Sequence, residues 1–193
     1  MKTINDRITE YPIDDVFLKR YSPRAMSGEA ITNEELMTLL EAGRWAPSLF
    51  NEQPWRFIYA MKDTLHFDKL FSFLMDGNKI WCKNAGALIV VISNTKNMKG
   101  EPNTTHSFDT GSAWENIALQ ATNMNLVSHG MAGFDYVRAK DELSIPDDYK
   151  VEMMIAIGKS GKVEDLPEAL RPREIPSDRK PLSELVFEGS FKN

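Results

Sequence analysis

A six-residue apolar run near the middle of the chain is the feature that most constrains the fold. Residues 87–92 read ALIVVI, so every side chain along this run is apolar. A strand of this kind has two apolar faces, and other parts of the protein have to cover both of them. The run therefore predicts an inner strand of a sheet that carries packed layers on both faces.

Periodic apolar residues predict helices on both sides of this strand. Thr32 is followed three residues later by Glu35, which is a capping box, and the leucines after it predict a helix over residues 33–45. Asp109 is the expected cap of a long helix that reaches residue 126 and is buried on more than one face. The same spacing predicts three shorter helices, over residues 14–20, 64–75 and 137–143.

The segments between these helices are predicted to be short strands and loops. Apolar runs rich in strand-forming residues predict strands over residues 57–61 and 151–157, with residues 128–134 as strand or turn. Gly77 and Asn78 are expected to interrupt regular structure, and the polar residues 94–107 are expected to form an exposed loop.

Residues 159–193 differ in composition from the rest of the chain. They are rich in proline and arginine, and they include a short strand-like run, LSELVF. A tail of this kind is expected to lie across a surface, either its own or that of a partner subunit, with disorder as the alternative. Since 193 residues suit one substantial core, we expect residues 1–193 to form a single domain that ends in this extended tail.

Charge, cysteine content and missing motifs argue against several classes of function. The net charge of −5 disfavours a general nucleic-acid binder, although a local basic pocket is allowed. Cys82 is the single cysteine, and no apolar run has the length of a membrane span, so we expect a cytoplasmic protein with no membrane partner. His66, His106 and His129 lack the spacing of a zinc site, and P-loop, Rossmann and G-x-S-x-G motifs are absent.

Arg20, Ser22 and Arg24 alternate in the segment RYSPR. Alternate side chains of an extended segment point the same way, and arginine forks match the oxygens of a phosphate group. The three side chains could therefore converge on one anionic group, and a solvated basic turn is the alternative. A solvated side chain is the more common outcome for Arg179, a single arginine in a polar loop.

Residues 44–57, RWAPSLFNEQPWRF, connect a predicted helix to a predicted strand. Pro47 and Pro54 restrict the backbone and disfavour helix in the residue before each of them, so we expect an ordered turn. A turn with this mixture of a serine, two amides and two tryptophans is interpreted as a binding surface.

Several segments, taken in order, resemble FMN-dependent nitroreductases. The match covers nearly the whole chain, and it depends on the order and spacing of the segments together. The matching segments are RYSPR at 20–24, ELMTLLEAGRWAPS, NEQPWRF at 51–57, Asn78, Asp109 at the start of the long helix, GMAGF at 130–134, IAIG ending at Gly158, and RKPL at 179–182.

The resemblance implies an α+β fold in which a mostly antiparallel central sheet is surrounded by helices. It also implies an intertwined homodimer with two FMN sites at the subunit interface, and NADH or NADPH as co-substrate. In such enzymes hydride passes to flavin N5 and then to a nitroaromatic, a quinone or another electron-poor acceptor in ping-pong turnover. No side chain need then act as a nucleophile or a base.

The resemblance assigns individual residues to the flavin. Arg20 and Ser22 would bind the phosphate and ribityl end, and Arg179 would also bind the phosphate. Arg24 would lie near the pyrimidine edge of the ring. Asn78 would bond the ring edge or the ribityl chain, and the backbone N–H of Gly133 would approach N5, which requires a residue without Cβ. The implied cofactor contacts are Arg20, Tyr21, Ser22, Arg24, Asn78, Ala132, Gly133 and Arg179, with Pro47, Ser48, Leu49 and Asn51 reaching the site from the other subunit.

Two positions depart from the common pattern of this family. Many members have a glutamate just before the glycine, where this chain has Ala132, and a lysine a few residues after the asparagine, where this chain has Trp81. The second change leaves Arg24 as the main cation expected near the pyrimidine. Phe50 and Phe134 are expected to shape the acceptor pocket, and Trp55 to pack in the core.

Three other functions stay open on the sequence alone. The first is a specialised flavin reaction on the same fold, such as reductive dehalogenation. The second is a non-catalytic protein that stores or delivers FMN. The third is an interaction module that uses the tail.

Overall fold

Six strands are present in the computed structural model, which describes residues 3–191 of the chain. Their bounds are β1 Thr3–Ile4, β2 Arg7–Ile8, β3 Trp55–Met61, β4 Ala87–Asn94, β5 Leu126–Met131 and β6 Tyr149–Lys159. The first two form a small hairpin, and the other four form an antiparallel sheet in the order β3-β4-β6-β5. The run of residues 87–92 is fully buried in β4, so the predicted inner strand is confirmed.

Six α-helices surround this sheet, and short 3₁₀ turns follow in the tail. The helix bounds are α1 Asp15–Lys19, α2 Asn33–Arg44, α3 Leu65–Ser72, α4 Asp76–Cys82, α5 His106–Asn123 and α6 Tyr136–Glu142. The α+β class with an antiparallel sheet surrounded by helices is therefore confirmed. Within residues 3–191, no helix has both the length and the apolar character needed to cross a bilayer.

Each face of β4 packs against a different layer of helices. Leu88 and Val90 face a cluster that includes Phe67 from α3 and Trp81 from α4. The alternate residues Ala87, Ile89 and Val91 face a second cluster, built with leucines of α2 and with Ile117 and Ala121 of α5. Because successive side chains of a strand point to opposite faces, one apolar run can serve both layers.

The predicted capping box is present at the start of α2. The Thr32 hydroxyl accepts a hydrogen bond from the Glu35 N–H at 3.0 Å, and the Glu35 carboxylate accepts one from the Thr32 N–H at 2.7 Å. Further along, a Cβ placed on Gly43 would lie 2.9 Å from a side-chain carbon of Ile117 in α5. Glycine at this position therefore allows the two helices to cross closely.

Three sequence predictions about helices and strands are wrong. Gly77 and Asn78 do not interrupt regular structure, because they lie in α4. Both residues have a weak helix propensity, but the helix buries Trp81 and Cys82, and this burial outweighs it. The long helix begins at His106 after Thr105, so Asp109 lies in its first turn and is not the cap. The run LSELVF forms a 3₁₀ turn, Leu182–Glu184, and the described residues of the tail after Lys159, the last residue of β6, contain no strand.

Cys82 is buried at the end of α4. Burial raises the pKa of its thiol to about 12, because the charged thiolate is poorly solvated in the apolar core. The group is therefore a packing residue at neutral pH.

Candidate functional site

The segment RYSPR is extended and lies against the end of the main sheet. Just after it, the Ser27 N–H donates to the Lys159 carbonyl at 3.0 Å and the Gly161 N–H donates to the Ala25 carbonyl at 2.9 Å. The Arg20 guanidinium donates to the Ser22 hydroxyl at 3.3 Å, so these alternate side chains do meet on one side. Tyr21 and Pro23 line a separate open groove of about 240 Å³ beside the start of β5.

A buried arginine brings Arg179 of the tail to this segment. Nη1 of Arg7 donates to the Leu18 carbonyl at 2.9 Å and to the Arg20 carbonyl at 2.7 Å. The Ser177 carbonyl accepts from Arg7 Nε at 2.9 Å and from Arg179 Nη1 at 3.2 Å. Burial lowers the pKa of Arg7, and the neighbouring guanidinium groups of Arg179 and Arg20 lower it further. Three positive charges are therefore concentrated at the start of RYSPR.

Asn78 and Gly133 are in direct contact beyond the end of β5. The Gly133 carbonyl accepts from the Asn78 side-chain amide at 3.0 Å and from the Met75 N–H at 3.0 Å. A Cβ on Gly133 would lie 2.8 Å from the Asn78 amide nitrogen, so an alanine here would displace that amide. Within residues 3–191, no acceptor pairs with the Gly133 N–H.

His129 joins this glycine region to RYSPR. Its Nδ1 lies 3.1 Å from the Pro23 carbonyl, and because a carbonyl only accepts, Nδ1 carries the proton. Its ring packs against Trp81, with 4.7 Å between ring centroids. Burial lowers the pKa of His129, and the nearby charge of Arg24 lowers it further. A neutral imidazole is therefore held between RYSPR and α4.

The turn of residues 47–53 precedes β3. Phe50, Asn51 and Gln53 all have left-handed backbone conformations, with φ of 50°, 59° and 48°. The Ser48 hydroxyl accepts from the Gln53 N–H at 3.0 Å, and the Asp109 carboxylate accepts from the Leu49 N–H at 3.2 Å. The prediction of an ordered turn is confirmed, and the ordering comes from these hydrogen bonds as well as from the prolines.

The predicted site residues fall into two groups at opposite edges of the sheet. The turn leads into β3, one edge strand, whereas Ala132 and Gly133 follow β5, the other edge strand. Strands β4 and β6 lie between them, which corresponds to about 14 Å at the usual strand spacing. Arg20, Tyr21, Ser22, Arg24, Asn78 and Arg179 lie with the β5 group, and Pro47, Ser48, Leu49 and Asn51 lie with the β3 group.

A model of the nitroreductase family matches residues 18–80 and 63–159. The chain belongs to the nitroreductase family. Family membership makes this protein an oxidoreductase, in agreement with the resemblance of its motifs.

Two relatives show how much of this chain the sequence similarity covers. A protein of Archaeoglobus fulgidus, whose name proposes an NADH dehydrogenase or NAD(P)H nitroreductase, is 31% identical over 154 residues, which cover 78% of this chain and 86% of the relative. Protein DrgA of Synechocystis is 26% identical over 203 residues, which cover 90% of this chain and 93% of the relative.

Solved structures extend the similarity to the whole fold. An oxidoreductase described as containing FMN has a TM-score of 0.96 and 45% identity, with 100% of this chain and 99% of that chain covered. A Desulfovibrio desulfuricans protein in complex with FMN has a TM-score of 0.73 and 27% identity, with 95% of this chain and 100% of that chain covered.

The departures from the common nitroreductase pattern have a structural explanation at one position. Trp81, at the position of the lysine, is 2% exposed and packs on His129, so it is a core residue. Ala132 is exposed next to Gly133 and adds no charge there. Trp55 is buried as predicted, and Phe134 is also buried, at 1% exposure, so within one chain it does not line a pocket.

Sequence reasoning missed Arg7, Glu174 and the connecting role of His129. Arg7 and Glu174 contact RYSPR from 13 and 150 residues away, and no local motif marks either of them. His129 was visible only as a histidine without zinc spacing. Among residues 3–191, no group of three or more His, Cys, Asp and Glu side chains is arranged to hold a metal ion.

Proposed function

We propose that the protein is an FMN-dependent oxidoreductase that takes hydride from NADH or NADPH and reduces nitroaromatics, quinones or similar electron-poor acceptors. The observation that carries the proposal is the cationic cluster around the buried Arg7, in which Arg20 donates to the Ser22 hydroxyl and Arg179 shares the Ser177 carbonyl with Arg7. We place this cluster at one end of a surface that has Gly133 at its other end. Solved relatives that contain FMN support this choice of cofactor.

The cationic end of this surface fits a phosphate group. The Arg20 guanidinium and the Ser22 hydroxyl are hydrogen-bonded, and Arg179 lies beside Arg7, with which it shares the Ser177 carbonyl. Arginine forks bind phosphate oxygens through charge-assisted hydrogen bonds, and the buried charge of Arg7 adds to the local positive potential. We assign Arg20, Ser22 and Arg179 to the phosphate and ribityl end of FMN.

The glycine end fits a flat ring. Gly133 has no side chain, its N–H points to no acceptor within residues 3–191, and the Asn78 amide holds its carbonyl. We assign the Gly133 N–H and Asn78 to the ring, with Arg24 near its pyrimidine edge, where a cation favours negative charge. FMN, when bound, supplies the hydride chemistry, and these residues orient it.

A homodimer would complete the site. Pro47, Ser48, Leu49 and Asn51 lie at the sheet edge away from Gly133, so within one chain they do not adjoin the proposed ring. The turn and its surroundings expose large apolar side chains, with Trp45 71%, Phe50 84% and Phe108 79% exposed. Because an exposed apolar patch of this kind favours association, we propose that this turn reaches the FMN bound by a second copy.

One cleft would serve both substrates in turn. NADH or NADPH donates hydride and leaves, and the acceptor then occupies the same place, so turnover is ping-pong. We place this reaction in the cytoplasm, which agrees with a single, buried and unpaired cysteine.

Absorbance of the purified protein tests the cofactor assignment first. We expect a yellow protein with flavin absorbance bands, either as purified or after reconstitution with FMN. It should then oxidise NADH or NADPH steadily in the presence of menadione or a nitrofuran. Failure to bind FMN on reconstitution would overturn the proposal, and binding without turnover would indicate a flavin carrier.

Two variants and a mass measurement sharpen this test. Arg179→Gln should weaken FMN binding, whereas Arg173→Gln, an exposed tail arginine outside the cationic group, should not. Light scattering at micromolar concentration should give the mass of a dimer. A monomer under these conditions would contradict the shared site.

A further inference from the structure

Two buried charged side chains fix the two ends of RYSPR. Arg7 is 5% exposed and Glu174 is 6% exposed, and they come from the β1–β2 hairpin and from the tail. Arg7 binds the carbonyl of Arg20, the first residue of the segment, and Glu174 binds the N–H of Arg24, the last. The backbone between these two contacts carries the Arg20 and Ser22 side chains.

Glu174 makes the tighter of the two contacts. Its Oε1 accepts hydrogen bonds from the N–H groups of Arg24 and Ala25, both at 2.6 Å. Its Oε2 is buried and has no hydrogen-bond partner within residues 3–191. Hydrogen bonds from N–H groups to a carboxylate are shorter and stronger than those between neutral groups. A single carboxylate oxygen therefore sets the direction of the chain as it leaves RYSPR.

Arg7 connects the other end of the segment to the tail. Its guanidinium bridges the Arg20 carbonyl to the Ser177 carbonyl, three residues beyond Glu174. The tail is itself anchored by Leu166, which is 5% exposed and belongs to the main core. Both contacts on RYSPR thus depend on the same stretch of the tail, residues 174–177.

We propose that Arg7 and Glu174 are positioning residues that preorganise RYSPR for the phosphate of FMN. This inference rests on the proposed function, because it assigns a phosphate to Arg20 and Ser22. With both ends of the segment fixed before binding, less conformational freedom is lost when the ligand arrives, and affinity increases accordingly. Neither residue contacts the ligand in this account, since both are buried and the hydrogen bonds of Arg7 and of Glu174 Oε1 go to backbone groups.

A comparison of FMN with riboflavin tests this role. Riboflavin has the same ring and ribityl chain but no phosphate, so its binding lacks the phosphate contact assigned to Arg20. We expect Glu174→Ala to raise the Kd for FMN by about tenfold and the Kd for riboflavin by clearly less, because riboflavin senses only the displacement of Ser22 and Arg24 at the ribityl chain and the ring. Flavin fluorescence quenching measures both affinities on the full chain.

Matched variants separate positioning from charge. Glu174→Gln keeps an oxygen that can accept both N–H groups, so it should retain most of the FMN affinity. Glu168→Ala removes an exposed carboxylate in the 3₁₀ turn just before Glu174, and it should behave as wild type. Arg7→Lys keeps the positive charge but loses the fork that binds separate carbonyls, so it should weaken FMN binding and spare riboflavin.

Hydrogen exchange in the unmodified protein gives an independent measure. The coupling between the ordering of RYSPR and the binding of the phosphate is reciprocal. FMN should therefore slow amide exchange at Arg24 and Ala25 more than riboflavin does. This measurement also applies if Glu174→Ala does not fold.

The outcomes distinguish this inference from the proposed function. If the wild-type protein binds neither flavin, the proposed function fails and the inference fails with it. If the wild type binds FMN but Glu174→Ala and Arg7→Lys bind it equally well, only the positioning role is overturned. Equal losses of FMN and riboflavin affinity would also overturn it, because they would show that the two residues do not act through the phosphate contact.

Discussion

RYSPR and the turn of residues 47–53 are both assigned to one flavin, but different forces hold them in place. RYSPR has an extended backbone, and its last residue is bound by Glu174, 150 residues away. Arg7 joins its first residue to the Ser177 carbonyl, which is 170 residues from Arg7. The turn has three left-handed residues and is closed mainly by its own groups, with Ser48 and Gln53 five residues apart. Its long-range hydrogen bonds are two, from the Leu49 N–H to Asp109 and from the Met98 N–H to Glu52. Removal of distant groups should therefore damage RYSPR more than the turn.

The largest expected effect comes from Gly161, which packs against the backbone just after RYSPR. A Cβ on Gly161 would lie 2.6 Å from the carbonyl carbon of Met26, so Gly161→Ala has to displace backbone. We expect a loss of about 3 kcal/mol in the free energy of unfolding, measured by urea denaturation. Gly77→Ala is the control, since no atom lies within 4 Å of its added Cβ. A Gly161→Ala protein as stable as Gly77→Ala would show that RYSPR does not need this support.

The second largest effect is expected at Arg20, and it shows whether RYSPR contacts the phosphate group of the flavin. Arg20→Ala should weaken FMN binding by about 30-fold, close to 2 kcal/mol, because a charge-assisted contact to phosphate is lost. Riboflavin binding should be nearly unchanged. If both ligands are weakened equally, Arg20 acts on the ring or on the fold instead of on the phosphate.

A change in the turn should lack this dependence on phosphate. Ser48→Trp places a large ring in the turn proposed to face the flavin of the partner, and it should weaken FMN and riboflavin alike, by about tenfold. Ser48→Ala is the matched control, because it removes only the hydrogen bond from Gln53, a loss of about 1 kcal/mol in stability. Wild-type flavin affinity in Ser48→Trp would contradict the shared site.

The smallest effect concerns pH and the support of RYSPR by His129. The pKa of His129 is lowered from 6.5 by burial, so the unfolded chain takes up the proton at higher pH than the folded protein does. Stability should then fall as the pH drops below about 6.5 and level off below the folded pKa, with a slope of at most about 1.4 kcal/mol per pH unit.

Urea midpoints of wild type and His129→Gln at pH 5 and pH 7 measure this contribution. Glutamine can still donate to the Pro23 carbonyl but does not titrate, so the variant should lose part of the pH dependence. An identical pH dependence in the two proteins would show that His129 does not titrate in this range.

The sequence predicted those elements whose local signals agree with their packing. The capping box at Thr32 and the apolar run at residues 87–92 are examples, because each signal is contained within a few residues. Helix α4 was missed because Gly77 and Asn78 are poor helix formers, and its burial of Trp81 depends on contacts made elsewhere in the chain.

The candidate site was predictable only to the extent that motifs mark it. RYSPR, Asn78 and Gly133 stand in motifs that resemble a known family, and the structure brings Asn78 to Gly133. Arg7 and Glu174 carry no such mark, because both bind backbone groups that no sequence motif identifies, and the Glu174 contact spans 150 residues. Asp109 was visible, but its local pattern suggested a helix cap and not a hydrogen bond to the Leu49 N–H.

The contact between Glu174 and RYSPR also sets an order of events during protein synthesis. A ribosome makes Arg24 long before it makes Glu174, which is 150 residues further along the chain. Until the tail has emerged, the N–H groups of Arg24 and Ala25 lack their acceptor and the segment has no fixed direction. The part of the site that is translated first is therefore among the last to become ordered. A nascent chain should bind a phosphate group at RYSPR only after residue 177 has been added.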